Sequence, residues 1–218
     1  MDPWTLHQLA DSALPAGGFA HSGGLEAALQ LGLVAPDELE AWLVEALWHA
    51  GATSLPWVAA AHAAPERLPE LDLACDASLP QQVANRASRL QGRAWLRAVA
   101  EICPAEVGAL AEAARAAHAP CHLPPVVGAA LGLLGASREE CRRLFLFLAA
   151  RGATAAAVRL GAVGPLDAQR LLAALATEAE RVLDATAGLA PEEAAATSPL
   201  LDLAQGHQER LYSRLFQS

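Results

Sequence analysis

The chain contains no lysine: its 15 basic residues are all arginine, set against 24 acidic ones. Without a lysine there is no Walker-type phosphate loop, so nucleotide binding by that route is excluded, and so is a lysine nucleophile. The formal net charge is -9, which argues against nucleic acid or an anionic membrane as a partner, since both need basic surface. Charged residues make up only 18% of the chain, against about 25% in ordinary proteins. Residues that favour strands are scarce, with eleven Val, six Thr and the single Ile102. The excess is Ala and Leu, which lead the helix scale. An all-α chain follows, long enough at 218 residues for one large domain.

Other signals are missing too. The four cysteines, Cys75, Cys103, Cys121 and Cys141, form no C-x-x-C pair. They read as small buried apolar residues of a reduced compartment. The opening Met1-Asp2-Pro3-Trp4 lacks the basic and apolar regions of a signal peptide, which predicts a cytoplasmic protein. The longest apolar stretches, Val126 to Leu134 and Leu144 to Ala150, fall well short of the roughly 18 residues a membrane span needs.

Proline and glycine divide what is present into helix-sized pieces. Helices are expected over Pro3 to Ala13, Gly24 to Leu31, Pro36 to just before Gly51, Leu55 to Ala63, Pro80 to Cys103 and Pro104 to Ala117. Further ones are expected over Val126 to Leu134, from a Ser137–Glu140 capping box to Gly152, and over Thr154 to Leu160. Pro165 to Thr186 and a last amphipathic helix from Pro199, reaching Leu215 and Phe216, complete the set. Pro65 to Leu79 reads as a polar loop carrying a short helix. Residues 188–199 read as a linker. The expected organisation is a helical domain over 1–187 and a linker with a C-terminal arm over 188–218.

Four constellations carry possible function. The first is a dense N-terminal loop: Ser12, Leu14, Pro15, Gly17, Gly18, Phe19, His21, Ser22, Gly23, Gly24, Leu25 and Glu26. It places His and Ser side by side, but not as the G-x-S-x-G elbow of a hydrolase, and an all-α chain lacks the sheet that exposes such a serine. Close packing by its glycines suits it better, with Ser22 capping the next helix and Glu26 in the favourable first turn. The second is Arg86, Arg89, Arg93 and Arg97, whose spacings of 3, 4 and 4 put them on one helix stripe. That stripe is either a solvated face or a docking face for an acidic partner. The third is His118, Cys121 and His122, with Cys141 or His62 as further candidates for the fold to bring in. It is either structural or a weak zinc, copper or nickel site. The fourth is Tyr212-Ser213-Arg214-Leu215-Phe216, rich in the types found at binding hot spots. It either packs on its own domain or orders on a partner.

The N-terminal loop with Leu9-Ala10-Asp11 before it, the run Arg86-Ala87-Ser88-Arg89-Leu90-Gln91-Gly92-Arg93, the run Ala156 to Gly161 with Gly164-Pro165, and the closing Tyr212 to Phe216 with Ser218 occur in a fixed order. In that order and spacing the chain resembles the urease accessory protein F family along most of its length. It departs from the family's usual pattern at Ala16, often Ile there, and at Gln208, where His-Glu is common. The resemblance implies an all-helical homodimer with no catalysis and no cofactor of its own. It implies a scaffold joining accessory protein D/H to the accessory GTPase G, so that nickel, the cargo, reaches apo-urease. It implies that the arm, Tyr212 to Phe216, orders against D/H and that Arg214 helps recruit the GTPase. Modulation of the partner's GTP hydrolysis, disputed for the family, would fall to Arg214. A metal-binding protein using His118, Cys121 and His122, and a helical interaction module without a urease role, are the other two readings.

Overall fold

Helix α7 (Leu123–Leu133) is buried along nearly its whole length, from Pro124 to Leu131. No polar face is needed where every side meets another helix. The computed structural model describes residues 1–218, apart from the side chain of Pro36. Around α7 lie α3 (Leu39–Ala63), α4 (Leu68–Ser78), α5 (Gln82–Ile102), α6 (Pro104–Ala116) and α8 (Arg138–Arg159). Next to α3 and α8 runs α9 (Pro165–Ala185). Helix α1 (Pro3–Ala10) lies along α8, and α10 (Pro199–His207) crosses α2 (Leu25–Gln30) and α5. These ten α-helices, with short 3₁₀ turns and no strand among the described residues, make one all-α domain. Among the described residues no helix is long and apolar enough to cross a membrane.

Glycine sets the closest helix approaches. A Cβ on Gly128 of α7 would overlap the Val58 carbonyl oxygen of α3, and one on Gly132 would come 2.6 Å from the His62 carbonyl oxygen. The small residues of α7 thus permit this close crossing. The Ser137–Glu140 capping box is present at the start of α8, with both reciprocal hydrogen bonds made.

Several expected boundaries are corrected. Gly51 does not end a helix. It lies inside α3, where a Cβ would overlap Val182 of α9. Pro56 does not break α3 either. Proline removes the N–H that would reach the Ala52 carbonyl, and that carbonyl accepts instead from the Ala195 N–H at 3.4 Å. The two expected helices on either side are therefore one. Gly152 likewise sits inside a continuous α8. The stretch read as a polar loop carrying a short helix is helical nearly throughout: a 3₁₀ turn at Pro65–Arg67 leads into α4, with Leu68, Leu71 and Cys75 buried. Helix α1 stops at Ala10, and α7 starts three residues before the expected Val126. The last α-helix ends at His207 rather than running on to Phe216. The linker is folded: Pro191–Glu193 form a 3₁₀ turn against α3.

Candidate functional site

The N-terminal loop and the C-terminal segment, almost 200 residues apart in sequence, meet. Gly17, Gly23 and Gly24 hold φ of 72°, 62° and 92°, a left-handed backbone that a Cβ disfavours. The Gly23–Gly24 turn delivers the chain into α2, and a Cβ on Gly24 would sit 3.0 Å from the Gln205 backbone nitrogen of α10. Glu26 follows in the first turn of α2 and is 2% exposed.

That carboxylate holds the C-terminal segment. Its Oε1 accepts from the Leu215 N–H at 2.6 Å and its Oε2 from the Phe216 N–H at 3.0 Å. The Gln208 side-chain amide donates to Oε2 at 2.5 Å and also to the Phe216 carbonyl at 3.2 Å. No guanidinium pairs with Glu26 among the described residues; N–H groups satisfy the charge. Ser22 adds a second grip, donating through N–H at 2.5 Å and Oγ at 2.9 Å to the Ser218 carbonyl oxygen. Its Oγ also accepts from the Glu26 N–H at 3.4 Å, although the N-cap of α2 is Gly24 and not the expected Ser22. His21 Nδ1 lies 2.7 Å from Ser218 Oγ, and the Gln217 N–H donates to the Ala20 carbonyl at 2.8 Å. Burial, followed by the positive charge of Arg86, holds the His21 imidazole below its ordinary pKa.

The segment is two-faced. Phe216 and Ser218 are buried, while Tyr212, Ser213, Arg214 and Leu215 are exposed, Tyr212 completely. Arg86, the first of the arginine stripe, pairs with Glu209 at 2.6 Å. A surface depression of about 460 Å³ is lined by Arg86, Glu209, Arg214, Leu215, Phe216 and Gln217. Beneath the loop lies a second cavity of about 490 Å³, walled mainly by apolar side chains such as Leu14, Trp42, Trp95 and Phe145.

The rest of the stripe goes elsewhere. Arg89 lies where its charge acts on Asp76, and Arg93 donates through Nε to the Pro120 carbonyl at 3.2 Å. Arg97 is exposed, and no ion pair includes it among the described residues.

The third constellation is an anchor for the start of α7. Asp72 of α4 accepts from the Cys121 N–H at 2.5 Å and the His122 N–H at 2.6 Å. His122 is fully buried. Its Nδ1 meets Ser88 Oγ at 3.1 Å and its Nε2 meets Asp76 Oδ1 at 2.9 Å, so both ring nitrogens are engaged. His118 and Cys121 carry positive φ, 52° and 61°, and His118 points to solvent. His62 is held by the Ala136 carbonyl at 2.8 Å. Burial pushes the Cys121 thiol up, away from the thiolate that a soft metal requires. The Cys141 thiol is pushed to about 12 by burial. No group of three or more ligating side chains placed to hold a metal is found among the described residues. Asp72, the centre of this anchor, lay in the stretch expected to be a polar loop carrying a short helix, and no motif marks it. Gln208 was noticed only as a departure from a pattern; its complete burial has no sequence signal.

Residues 33–176 match the family model UreF. The chain is 38% identical over 220 residues to urease accessory protein F of Oryza sativa, spanning 98% of this chain and 84% of that protein. It is 39% identical over 219 residues to urease accessory protein F of Arabidopsis thaliana, spanning 98% and 91%. With urease accessory protein UreF of Mycobacterium sp. (strain JLS) it shares 36% over 208 residues, spanning 94% of each chain.

Proposed function

The chain belongs to the UreF family of urease accessory proteins, and from that premise we propose that it is a non-catalytic scaffold for urease maturation. A scaffold must hold two partners, and the docked C-terminal segment offers contacts to both. In this reading the segment and α10 meet accessory protein D/H, and Arg214 with Tyr212 recruits the accessory GTPase G. The protein acts as a homodimer, so that two GTPase protomers are held together while nickel passes through the assembly to apo-urease. Nickel is cargo here, not a resident cofactor. Any effect on GTP hydrolysis is indirect, by positioning, or runs through Arg214. The work is done in the cytoplasm, where the four free thiols stay reduced.

The observation that carries the reading is the division of the segment: Phe216 and Ser218 anchor it while Tyr212, Arg214 and Leu215 stand exposed beside Arg86. Exposed aromatic and arginine side chains on an anchored turn are a low-entropy contact surface. The test is light scattering after size exclusion on the protein alone and co-expressed with D/H and the GTPase from the same source. A dimer that forms a complex with two copies of each partner is expected. Arg214→Ala is expected to keep the dimer and D/H but lose about tenfold or more in GTPase affinity, a typical hot-spot cost. Unchanged co-purification of the GTPase with that variant overturns the assignment of Arg214. A protein that ignores both partners overturns the scaffold.

A further inference from the structure

We propose that Glu26 is the positioning residue of the partner-facing turn, a buried carboxylate that sets where Tyr212 and Arg214 stand. The proposal rests on the reading above that this turn meets a partner. Glu26 itself touches no partner, being 2% exposed.

The argument is one of register. The two carboxylate oxygens take the amides of consecutive residues, Leu215 at 2.6 Å and Phe216 at 3.0 Å. The chain bends at these two residues, so the pair of amides fixes one orientation of the backbone. Gripping that pair sends Leu215 out and Phe216 in, as their exposures of 53% and 4% show. A slip of one residue would put a different side chain in the place of Phe216. The same carboxylate also accepts from Gln208 at 2.5 Å, just before the turn begins. Residues 209–214 are therefore a loop held at both ends by one side chain, with the Gln30 amide donating to the Ser213 carbonyl at 3.1 Å between them, and it carries both Tyr212 and Arg214.

Charge makes this grip different from an ordinary packing contact. Three donors converge on Glu26 from the segment, and a carboxylate offers acceptors to all of them. A glutamine would turn an N–H₂ toward one of those N–H groups. When the segment leaves, the carboxylate loses three donors and must regain water, since only the Gln30 side-chain amide, at 3.5 Å, stays with it. The grip is thus all-or-none, which suits a surface that must be presented in one arrangement.

The test compares Glu26→Gln, Arg214→Ala and the double variant, each in the full chain. Amide exchange is read at Leu215 and Phe216, and affinity is read with the accessory GTPase. Glu26→Gln is expected to speed exchange at those two amides about ten- to a hundredfold, the range for hydrogen bonds to a charged group, with α3 and α7 unchanged. It is expected to weaken GTPase binding about as much as Arg214→Ala does. The double variant should bind no more weakly than Arg214→Ala alone, because both act through the same side chain. Unmoved exchange, or a double variant weakened by the full product of the two factors, overturns the proposal while a loss in Arg214→Ala leaves the partner reading standing. If Arg214→Ala binds like the wild type, the partner reading fails and this proposal falls with it, whatever the exchange shows. Should Glu26→Gln not fold, Gln208→Met removes one donor and leaves the carboxylate. It is expected to speed the same exchange about tenfold, and no change there overturns the proposal as well.

Discussion

Arg159 of α8 places its guanidinium carbon 4.3 Å from the centre of the Phe216 ring. Its Nη1 also donates to the Phe19 carbonyl, so one side chain joins the N-terminal loop to the C-terminal segment. A cation over an aromatic face is worth about 0.5–2 kcal/mol. Arg159→Ala is expected to loosen the segment without loosening the core. Trypsin cleavage at the exposed Arg210 and Arg214 should run roughly two- to thirtyfold faster, each 1.4 kcal/mol being tenfold. The melting temperature of the helical domain should hold within about 1 °C, since the core contacts are untouched. Equal cleavage rates would mean that the ring stacking contributes nothing.

Acid should have the same local effect. Burial and Arg86 hold the His21 imidazole below its ordinary 6.5. His49 beside α10 is also held down, chiefly by burial, although Asp202 and Glu45 pull the other way. With folded values below the unfolded one, the docked form gives full stability above about pH 6.5. It loses that stability as pH falls, because the freed imidazole takes the proton more readily. Trypsin sensitivity of the segment, corrected for enzyme activity, should rise from pH 7.5 to 5.5. His21→Gln should flatten most of that rise; a rise that survives in this variant would move the effect to other groups.

The crossing of α3 and α7 has no room for a methyl group. Gly128→Ala would set its Cβ against the Val58 carbonyl oxygen, backbone against side chain, with no flexible atom to yield. Overpacking of this kind costs about 1–3 kcal/mol or more. At roughly 2–4 °C per kcal/mol for a chain of this size, thermal unfolding should start several degrees lower. Gly108→Ala is a control, since its Cβ meets nothing within 4 Å and alanine favours helix. A Gly128→Ala protein as stable as the control would contradict the packing described.

His122→Ala should behave as a core lesion and not as the loss of a metal ligand. It empties a fully buried position and removes the partners of Asp76 and Ser88. Roughly 2–4 kcal/mol of stability is expected to go, as for other broken buried networks. Nickel titration followed by calorimetry should give the same result for this variant as for the wild type. Tight stoichiometric nickel that vanishes with His122 would restore the metal reading.

Composition carried the fold class, because a chain so short of β-branched residues and so rich in Ala and Leu has little choice. Local chemistry carried the Ser137–Glu140 cap. Boundaries failed where long-range contacts override local rules. Gly51 is required by Val182 of α9, and Pro56 is tolerated because Ala195 serves the carbonyl it orphans. Neither partner is visible from the neighbouring residues. The N-terminal loop and the C-terminal segment were legible as separate motifs by their residue types. Their contact was not, because Glu26 looks like an ordinary acid in a first helical turn until the amides of Leu215 and Phe216 are placed on it. The metal candidates were suggestive in spacing; in three dimensions Ser88 and Asp76 engage the His122 ring, and Asp72 holds the backbone amides of Cys121 and His122.

The Ala195–Ala52 hydrogen bond also limits travel. It pins the stretch before α10 only three residues ahead of the Ser198 cap, and three extended residues reach about 10 Å. As long as that bond and the turn against α3 hold, α10 can rock in place but cannot be lent to a neighbouring copy. Exchange of α10 between molecules would first have to peel the chain back past Pro191. A partner that grasps the turn therefore pulls on a short leash fastened to the middle of α3.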